Sequence, residues 1–401
     1  MRFSSNSPKM RVVIDQDKQM ARWNISIQYA LYFGTMGVFL PYFNLYCYHL
    51  GFDGVQIGVL SSLRSLIMVL FSLTWAALAD RYHKRRFLYI LCNLFSTFVF
   101  CFFFFFDTFW SMFIITAFYG IFYAPIIAFL EAFSMDHLAG QKRAYGAIRA
   151  WGSIAFISVV ILLGWLLKRF DIRIILVFIL AGGGFLTLVS LKTPESALPE
   201  PPPFMANINT FFDRRVLVFL FCAYLMLVSH GAYYAFLSIY LEHLGFDSGF
   251  IGFAWATASI AEIIVMVKSK KFFQHLSFER ILAFSFPVAA LRWVLLGTLR
   301  SGVAILLLQI LHAVTYGMFH MASILYMDHL SPEGTKTLGQ SINNAVTYGL
   351  GLMTGFFVSG FLYERAGAQF SFLVSALIAL TGGAVFSGFS LVHRRQVRAN
   401  D

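Results

Sequence analysis

The chain has 401 residues, of which 59% are hydrophobic, 18% aromatic and only 12% charged, where a soluble domain carries about 25% charged residues. A water-soluble fold of this length cannot hide so much apolar surface. The composition therefore excludes a cytosolic globular protein and makes a bilayer the natural solvent.

Residues 1–22 are polar and lack the apolar core of a signal peptide, so they read as a cytoplasmic tail. Twelve apolar stretches follow, at about 23–48, 55–79, 87–106, 109–135, 147–167, 173–191, 216–241, 250–268, 281–298, 302–327, 340–362 and 371–391. Each is near the roughly 20 residues that cross a hydrocarbon core as a helix. The longest connection, 192–215, is proline-rich and polar and lies near the middle of the chain, as a linker between two bundles should. The expectation is an all-α membrane protein of twelve transmembrane helices. Its two six-helix bundles (23–191 and 216–391) are joined by a cytoplasmic linker (192–215) and followed by a cytoplasmic tail (392–401).

Charge sets the expected orientation. With the N-terminus inside, cytoplasmic segments hold 22 of the 30 Lys and Arg residues and outward loops hold 5. This is the positive-inside pattern, and it places both termini in the cytoplasm. The net charge of +11 is then a topological signal with some attraction for anionic lipid headgroups, and it requires no nucleic-acid partner.

The chain also repeats itself. HLGFDGVQIG at 49–58 returns as HLGFDSGFIG at 243–252, identical at seven of ten positions. MDHL at 135–138 returns at 327–330, and Gly146 and Gly339 head equivalent stretches. Three matches at nearly one offset, each in the same topological place, predict two parallel, pseudo-symmetric six-helix repeats. Such a pair around a central cavity is the architecture of alternating access.

The loop WAALADRYHKRR (75–86) ends a span in small residues, then Asp-Arg, then basic residues. On this loop, and on the duplicated bundles, the chain resembles the major facilitator superfamily over essentially its whole length. The resemblance implies that Asp80 and Arg81 act in gating, with Asp80 pairing to a neighbouring helix end; the alternative is ordinary inside-positive charge. The second-half counterpart, KSKKFFQHLSFER, keeps the charge and lacks the Asp.

Five charged residues fall inside spans: Arg64, Glu131, Arg149, Glu262 and Arg292, joined by His230, His312 and His320. Each such charge costs about 2.5–3.5 kcal/mol on insertion scales and needs a partner or a purpose. Glu131 and Arg149 are eighteen residues apart across a short loop. In this they are similar to the Glu and Arg of helices 4 and 5 in lactose permease-type sugar–proton symporters, which hold substrate. In the same branch a helix 8 Glu, a helix 9 Arg and a helix 10 His handle the proton, and Glu262, Arg292 and His312 fall on those positions. Two departures stand out. Thr315 occupies the place of a protonatable Glu, and Phe156 that of the Trp platform for a sugar ring. Any proton must then sit elsewhere, with Glu262 first, His312 modulating and Glu131 next.

A nearer resemblance, on YGAIRAWGSIAF, SHGAYYAFLSIYLEHLGF and LPYFNLYCYHLGF, is to the phenylpropionate permease group. It implies proton-coupled uptake of an aromatic carboxylate. Counting His as neutral, three in-span Arg face two Glu, an excess that a carboxylate solute could balance and a neutral sugar could not. Arg64 or Arg149 is the expected anion ligand. Tyr233, beside His230, lines the cavity or packs helices, and His320 does one or the other.

No convergent nucleophile, phosphate cradle or metal cluster is legible, and the four cysteines show no CxxC spacing, so an enzyme and a resident cofactor or metal are not expected. The expected partners are a small-molecule solute, membrane lipids and a proton as coupling ion. A monomer suffices mechanically, in the plasma (bacterial inner) membrane. The alternatives within transport are a sugar–proton symporter and an exporter of drugs or lipids.

Overall fold

A computed structural model describes residues 8–138, 142–193 and 211–400. Most of the expected linker and the first residues of the N-terminal tail lie outside the described residues. All regular structure among the described residues is helical. Helices long and apolar enough to cross a membrane occur in nine stretches among them, with Ile174–Ser190 a shorter apolar helix.

Within the first half the helices are α1 (Pro8–His49), α2 (Gly54–Tyr82), α3 (Arg85–Phe100), α4 (Phe109–Tyr123), α5 (Ile126–Leu138), α6 (Lys142–Leu166) and α7 (Ile174–Ser190). The expected fourth span is two helices, α4 and α5, because Pro125 stands between them. Proline has no N–H, so the carbonyl four residues back, on Ile121, loses its helical donor. In lipid such a carbonyl must be satisfied from elsewhere. The Trp75 indole N–H of α2 donates to it at 2.8 Å, and the Ser72 hydroxyl donates to the Ala124 carbonyl at 2.9 Å.

In the second half come α8 (Arg214–Ser229), α9 (Gly231–His243), α10 (Ser248–Phe273), α11 (Phe278–Thr298), α12 (Gly302–Ile310), α13 (Phe319–Leu330), α14 (Lys336–Asn343) and α15 (Leu352–Asn400). Two of the joins are π-helical turns, Ala313–Met318 between α12 and α13 and Asn344–Gly351 between α14 and α15. The long α15 is kinked at Gly367, whose φ of 78° is open to glycine.

The repeated phrase now has a physical meaning. In each copy HLGFD is a helix stop followed by a helix start. Gly51 and Gly245 take φ of 86° and 85°. The amides of Phe52 and Phe246 reach back to the Cys47 and Leu241 carbonyls, each at 3.1 Å, closing the helix with a Schellman turn. The next residue caps the following helix: Asp53 accepts from the Gln56 amide at 2.7 Å and Asp247 from the Phe250 amide at 2.8 Å.

By internal contacts the chain forms two compact units. The first holds the described residues of Met1–Phe39, Leu70–Val159 and Ile174–Pro202; the second holds Leu40–Val69, Val160–Arg173 and the described residues from Pro203 on. The second unit thus draws the C-terminal ends of α1 and α6 and the N-terminal end of α2 into one body with α8–α15. The phrase's final glycines explain how. A Cβ on Gly58 would lie 2.7 Å from the Phe356 carbonyl oxygen, and one on Gly252 2.7 Å from the Val160 carbonyl oxygen. These equivalent positions therefore let α2 meet α15 and α10 meet α6 backbone to backbone.

Candidate functional site

In the first unit α1, α5 and α6 converge. Tyr29, Leu130, Ile25 and Ile148 form a buried cluster, with Phe33, Ile127 and Tyr145 packed against it. Arg149 lies half-buried on this cluster, its guanidinium carbon 3.8 Å from the Phe33 ring centroid and 5.7 Å from that of Tyr29. Gly152, one turn on, makes room: a Cβ there would sit 2.6 Å from the Phe33 ring. Glu131 is exposed on α5 and senses the Arg149 charge. Among the described residues, however, no carboxylate lies within 4 Å of Arg149. The guanidinium rests on aromatic faces, which leaves its fork of donors for another anion. Phe156, two turns beyond Arg149, is half-buried with its backbone carbonyl pressed toward Gly37.

The same unit holds a cavity of about 20 Å³ lined by Tyr32, Asn93, Ser96, Thr97 and Tyr123 among others. It has room for about one water and none for an organic solute.

In the second unit Arg292 of α11 is wholly buried. It donates to Gln309 Oε1 at 3.1 Å and Thr315 Oγ1 at 3.1 Å, and its Nη1 lies 3.0 Å from His312 Nδ1. Its guanidinium carbon sits 4.4 Å from the Tyr233 ring centroid and 4.7 Å from that of Trp293. An arginine only donates, so His312 Nδ1 must accept and the ring proton must be on Nε2. That nitrogen faces Glu262 Oε2 at 3.6 Å. Arg292 thereby fixes the tautomer of His312 and, through it, presents an N–H toward the Glu262 carboxylate. The three residues expected to handle a proton come together here. Thr315, the departure from the symporter pattern, is an acceptor for the buried arginine.

The site is layered. Arg292, His230, His312 and Tyr233 are buried, while Tyr234, Glu262, Tyr316, His320 and Tyr348 are half-buried. His230 packs edge-on to Trp293 at 4.9 Å between centroids and donates from Nδ1 to the Met226 carbonyl at 2.8 Å. Arg64 of α2 is half-buried in the same unit near Cys47. The unit-two grouping omits Glu131, Arg149 and Phe156, which belong to unit one.

Sequence reasoning passed over Phe33, Gln309, Tyr316 and Tyr348. A signal existed for the last two. The pentapeptide AVTYG occurs at 313–317 and again at 345–349, and both copies are π-helical, a geometry frequent at functional sites.

At the expected gate, Arg85 at the start of α3 bonds Asp136 at 2.8 Å and lies 3.9 Å from Asp80. Arg81 sits over the Tyr82 ring, 5.9 Å from its centroid. Asp328, in the second MDHL, pairs with Lys336 at 3.5 Å, so the aspartate of each copy holds a basic residue. Among the described residues no group of three or more His, Cys, Asp or Glu is placed to hold a metal ion.

The model of the MFS_1 like family matches residues 22–374. Over 371 residues the chain is 29% identical to the probable 3-phenylpropionic acid transporter of Escherichia coli (strain K12), covering 90% of this chain and 96% of that one. Over 271 residues it is 25% identical to the putative nucleoside transporter YegT of the same organism, covering 62% of each. Its fold is that of the crystal structure of nucleoside transporter NupG, with TM-score 0.82 at 19% identity over 92% of this chain and 98% of that one. A bacterial homologue of the human lysosomal transporter Spinster follows at TM-score 0.75 and 13% identity, over 92% and 96%. These relatives are transporters rather than enzymes. With the apolar helices, the paired repeats and a family match across most of its length, the chain belongs to the MFS_1 like family and is a multi-pass membrane transporter of the major facilitator kind.

Proposed function

We propose that the protein takes up a small aromatic carboxylate together with a proton across the bacterial plasma (inner) membrane, as a monomer with both termini in the cytoplasm. The observation that carries this reading is Arg149. It is a guanidinium on a membrane-spanning helix, laid on the faces of Phe33 and Tyr29, with no carboxylate within 4 Å among the described residues. A solute that brings both a carboxylate and a ring matches that surface: the carboxylate bridges the guanidinium fork and the ring extends the aromatic stack. Glu131 supplies the countercharge when the solute is absent. Arg64 is the second candidate anion ligand. The similarity to a probable 3-phenylpropionic acid transporter supports the same solute class.

The proton is assigned to Glu262. The His312 N–H, fixed by Arg292, points at its carboxylate from 3.6 Å; a proton arriving on Glu262 removes the negative charge that faces it. Asp80 and Arg81, with Arg85, are assigned to the gate at the opposite end of α2 from the glycine crossing.

The test is uptake of 3-phenylpropionate by proteoliposomes. Arg149→Gln removes a charged hydrogen-bond partner and should raise KM by roughly 10- to 100-fold, with Arg64→Gln tested beside it. Undiminished affinity in both variants rejects the anion assignment. Retained stimulation by a proton gradient in Glu262→Gln rejects the proton assignment. A nucleoside is the second reading, favoured by the similarity to YegT. Thermal-shift titration with 3-phenylpropionate, uridine and maltose separates these classes, because a ligand that binds only the folded state raises stability with concentration.

A further inference from the structure

The half-buried layer of the second unit contains an arrangement that extends the Glu262–His312–Arg292 group along one side. Along α12–α13 the rings of His312, Tyr316 and His320 stack in a column. Centroids are 5.1 Å apart for the first pair and 5.8 Å for the second, and both interplanar angles are 8°. The four-residue spacing builds it, since side chains at i and i+4 lie one above the other on a single helix face. His320 is tied at the end of the column: its Nδ1 is hydrogen-bonded to the Tyr348 hydroxyl. Tyr348 comes from the second AVTYG segment, and its ring also meets Tyr316 at 6.2 Å.

Glu262 overlooks the same place. A Cβ on Gly317 would lie 3.2 Å from Glu262 Cγ, so the glycine that follows Tyr316 seats the Glu262 side chain. Its charge acts on both Tyr234 and Tyr348. The rings against His320 are Tyr316 from its own span and Tyr348 from the next, while Tyr234 of α9 and His312 meet Tyr316 and Glu262 of α10 is seated beside it at Gly317. Among the described residues no carboxylate lies within 4 Å of His320, so nothing there stores a proton on it. A ring that is partly exposed, hydrogen-bonded on one nitrogen and unpaired with any acid suits passage of a proton.

We propose that Tyr348 and His320 form the relay by which the proton carried on Glu262 leaves toward the cytoplasmic end of α13. The proposal rests on the proton-coupled reading above. In the step, Glu262 gives its proton to the Tyr348 oxygen, directly or through one water, as that hydroxyl gives its own proton to His320 Nδ1. His320 then loses the proton on Nε2 to water. Glu262 ends as the carboxylate, Tyr348 and His320 return to neutral forms, and one proton has moved. His320 and Tyr348 touch no solute in this scheme; they act on the carrier residue.

Proteoliposomes loaded with 3-phenylpropionate separate the possibilities. Exchange of labelled for unlabelled solute needs no net proton release, whereas gradient-driven uptake does. His320→Gln and Tyr348→Phe should each cut gradient-driven uptake by at least about tenfold, in line with loss of one positioned proton-transfer group. Exchange serves as the measure of folding and solute binding and should fall by much less. Equal loss of both activities in both variants overturns the relay and gives the pair a packing role. Retention of gradient-driven uptake in both also overturns it. If the unaltered protein exchanges 3-phenylpropionate but ignores the gradient, proton coupling itself fails, and the relay with it.

Discussion

The His49 imidazole nitrogen Nε2 lies 2.7 Å from Glu242 Oε1, joining residues 193 positions apart. One residue away in each segment, His243 Nε2 lies 2.7 Å from the Tyr48 hydroxyl, and Tyr363 closes on His243 Nδ1 at 3.0 Å. The pairing is reciprocal, 48–49 against 243–242, because each segment spans the start of a copy of the repeated phrase. It forms a polar latch within the second unit, at the end where both copies of the phrase lie. Cysteines at positions 49 and 242 (His49→Cys with Glu242→Cys) should join through a short bifunctional reagent that forms a disulfide with each thiol. Uptake should stop on cross-linking and return on reduction. Failure of the pair to cross-link, in protein that still transports, would count against the latch.

The glycine crossings beneath the latch give a second test. A Cβ at Gly58 or Gly252 meets a backbone oxygen, which cannot swing aside as a side chain can. Gly58→Val and Gly252→Val should each destabilise this seam by about 1–3 kcal/mol, the usual cost of overpacking. The expected readouts are a lower melting temperature in detergent and a reduced cross-linking yield between positions 49 and 242. An unchanged yield would show that the backbones separate without effect on the latch.

Trp75 and Pro125 should be coupled. Trp75→Phe leaves the Ile121 carbonyl without its donor inside an apolar span, at a cost of about 1–3 kcal/mol. Pro125→Ala restores an N–H at the position from which that carbonyl is served in an unbroken helix. In the double variant much of the loss should return, so the two effects on thermal stability should not add. Simple additivity would refute the assignment of Trp75 as the replacement donor.

Asp247 supplies a pH-dependent contribution. It caps α10 and lies 2.8 Å from Lys168 Nζ. The hydrogen bond from Lys168, then that from the Phe250 amide, holds its carboxyl below the ordinary carboxylate range. A folded-state value below the unfolded one means stabilisation that is present above the unfolded value and lost as pH falls through the folded one. Asp247→Asn should therefore lower stability at pH 7 by about 0.2–1 kcal/mol, the scale of an exposed pair. The difference from the unaltered protein should vanish only below about pH 4, where aspartates protonate. Denaturation curves at the two pH values read it directly; a difference that persists unchanged into acid would contradict the pairing.

Much of this molecule was legible in one dimension. The length and apolarity of the stretches follow from a solvent that offers no hydrogen bonds, so helices were compulsory. HLGFD could be read as a repeat, and each of its residues does local work: glycine ends a helix at positive φ and aspartate begins the next. The grouping of Glu262, Arg292 and His312 was implied by the resemblance to lactose permease-type symporters, on whose helix 8, 9 and 10 positions these residues fall.

Other relationships have no local cause. Nothing in the sequence around Trp75 announces that it serves a carbonyl orphaned by Pro125, because that need arises fifty residues away. The spacing of Glu131 and Arg149 suggested an ion pair, yet Phe33 of α1, remote in sequence, takes the guanidinium on its face. The stack of His312, Tyr316 and His320 ends on Tyr348, a residue of another span 28 positions on from His320. Composition and periodicity determined which segments enter the membrane and where they stop. Only the packing of distant helices decided which polar atoms meet across the fold, because a bilayer offers no water to a group that its own helix leaves unserved.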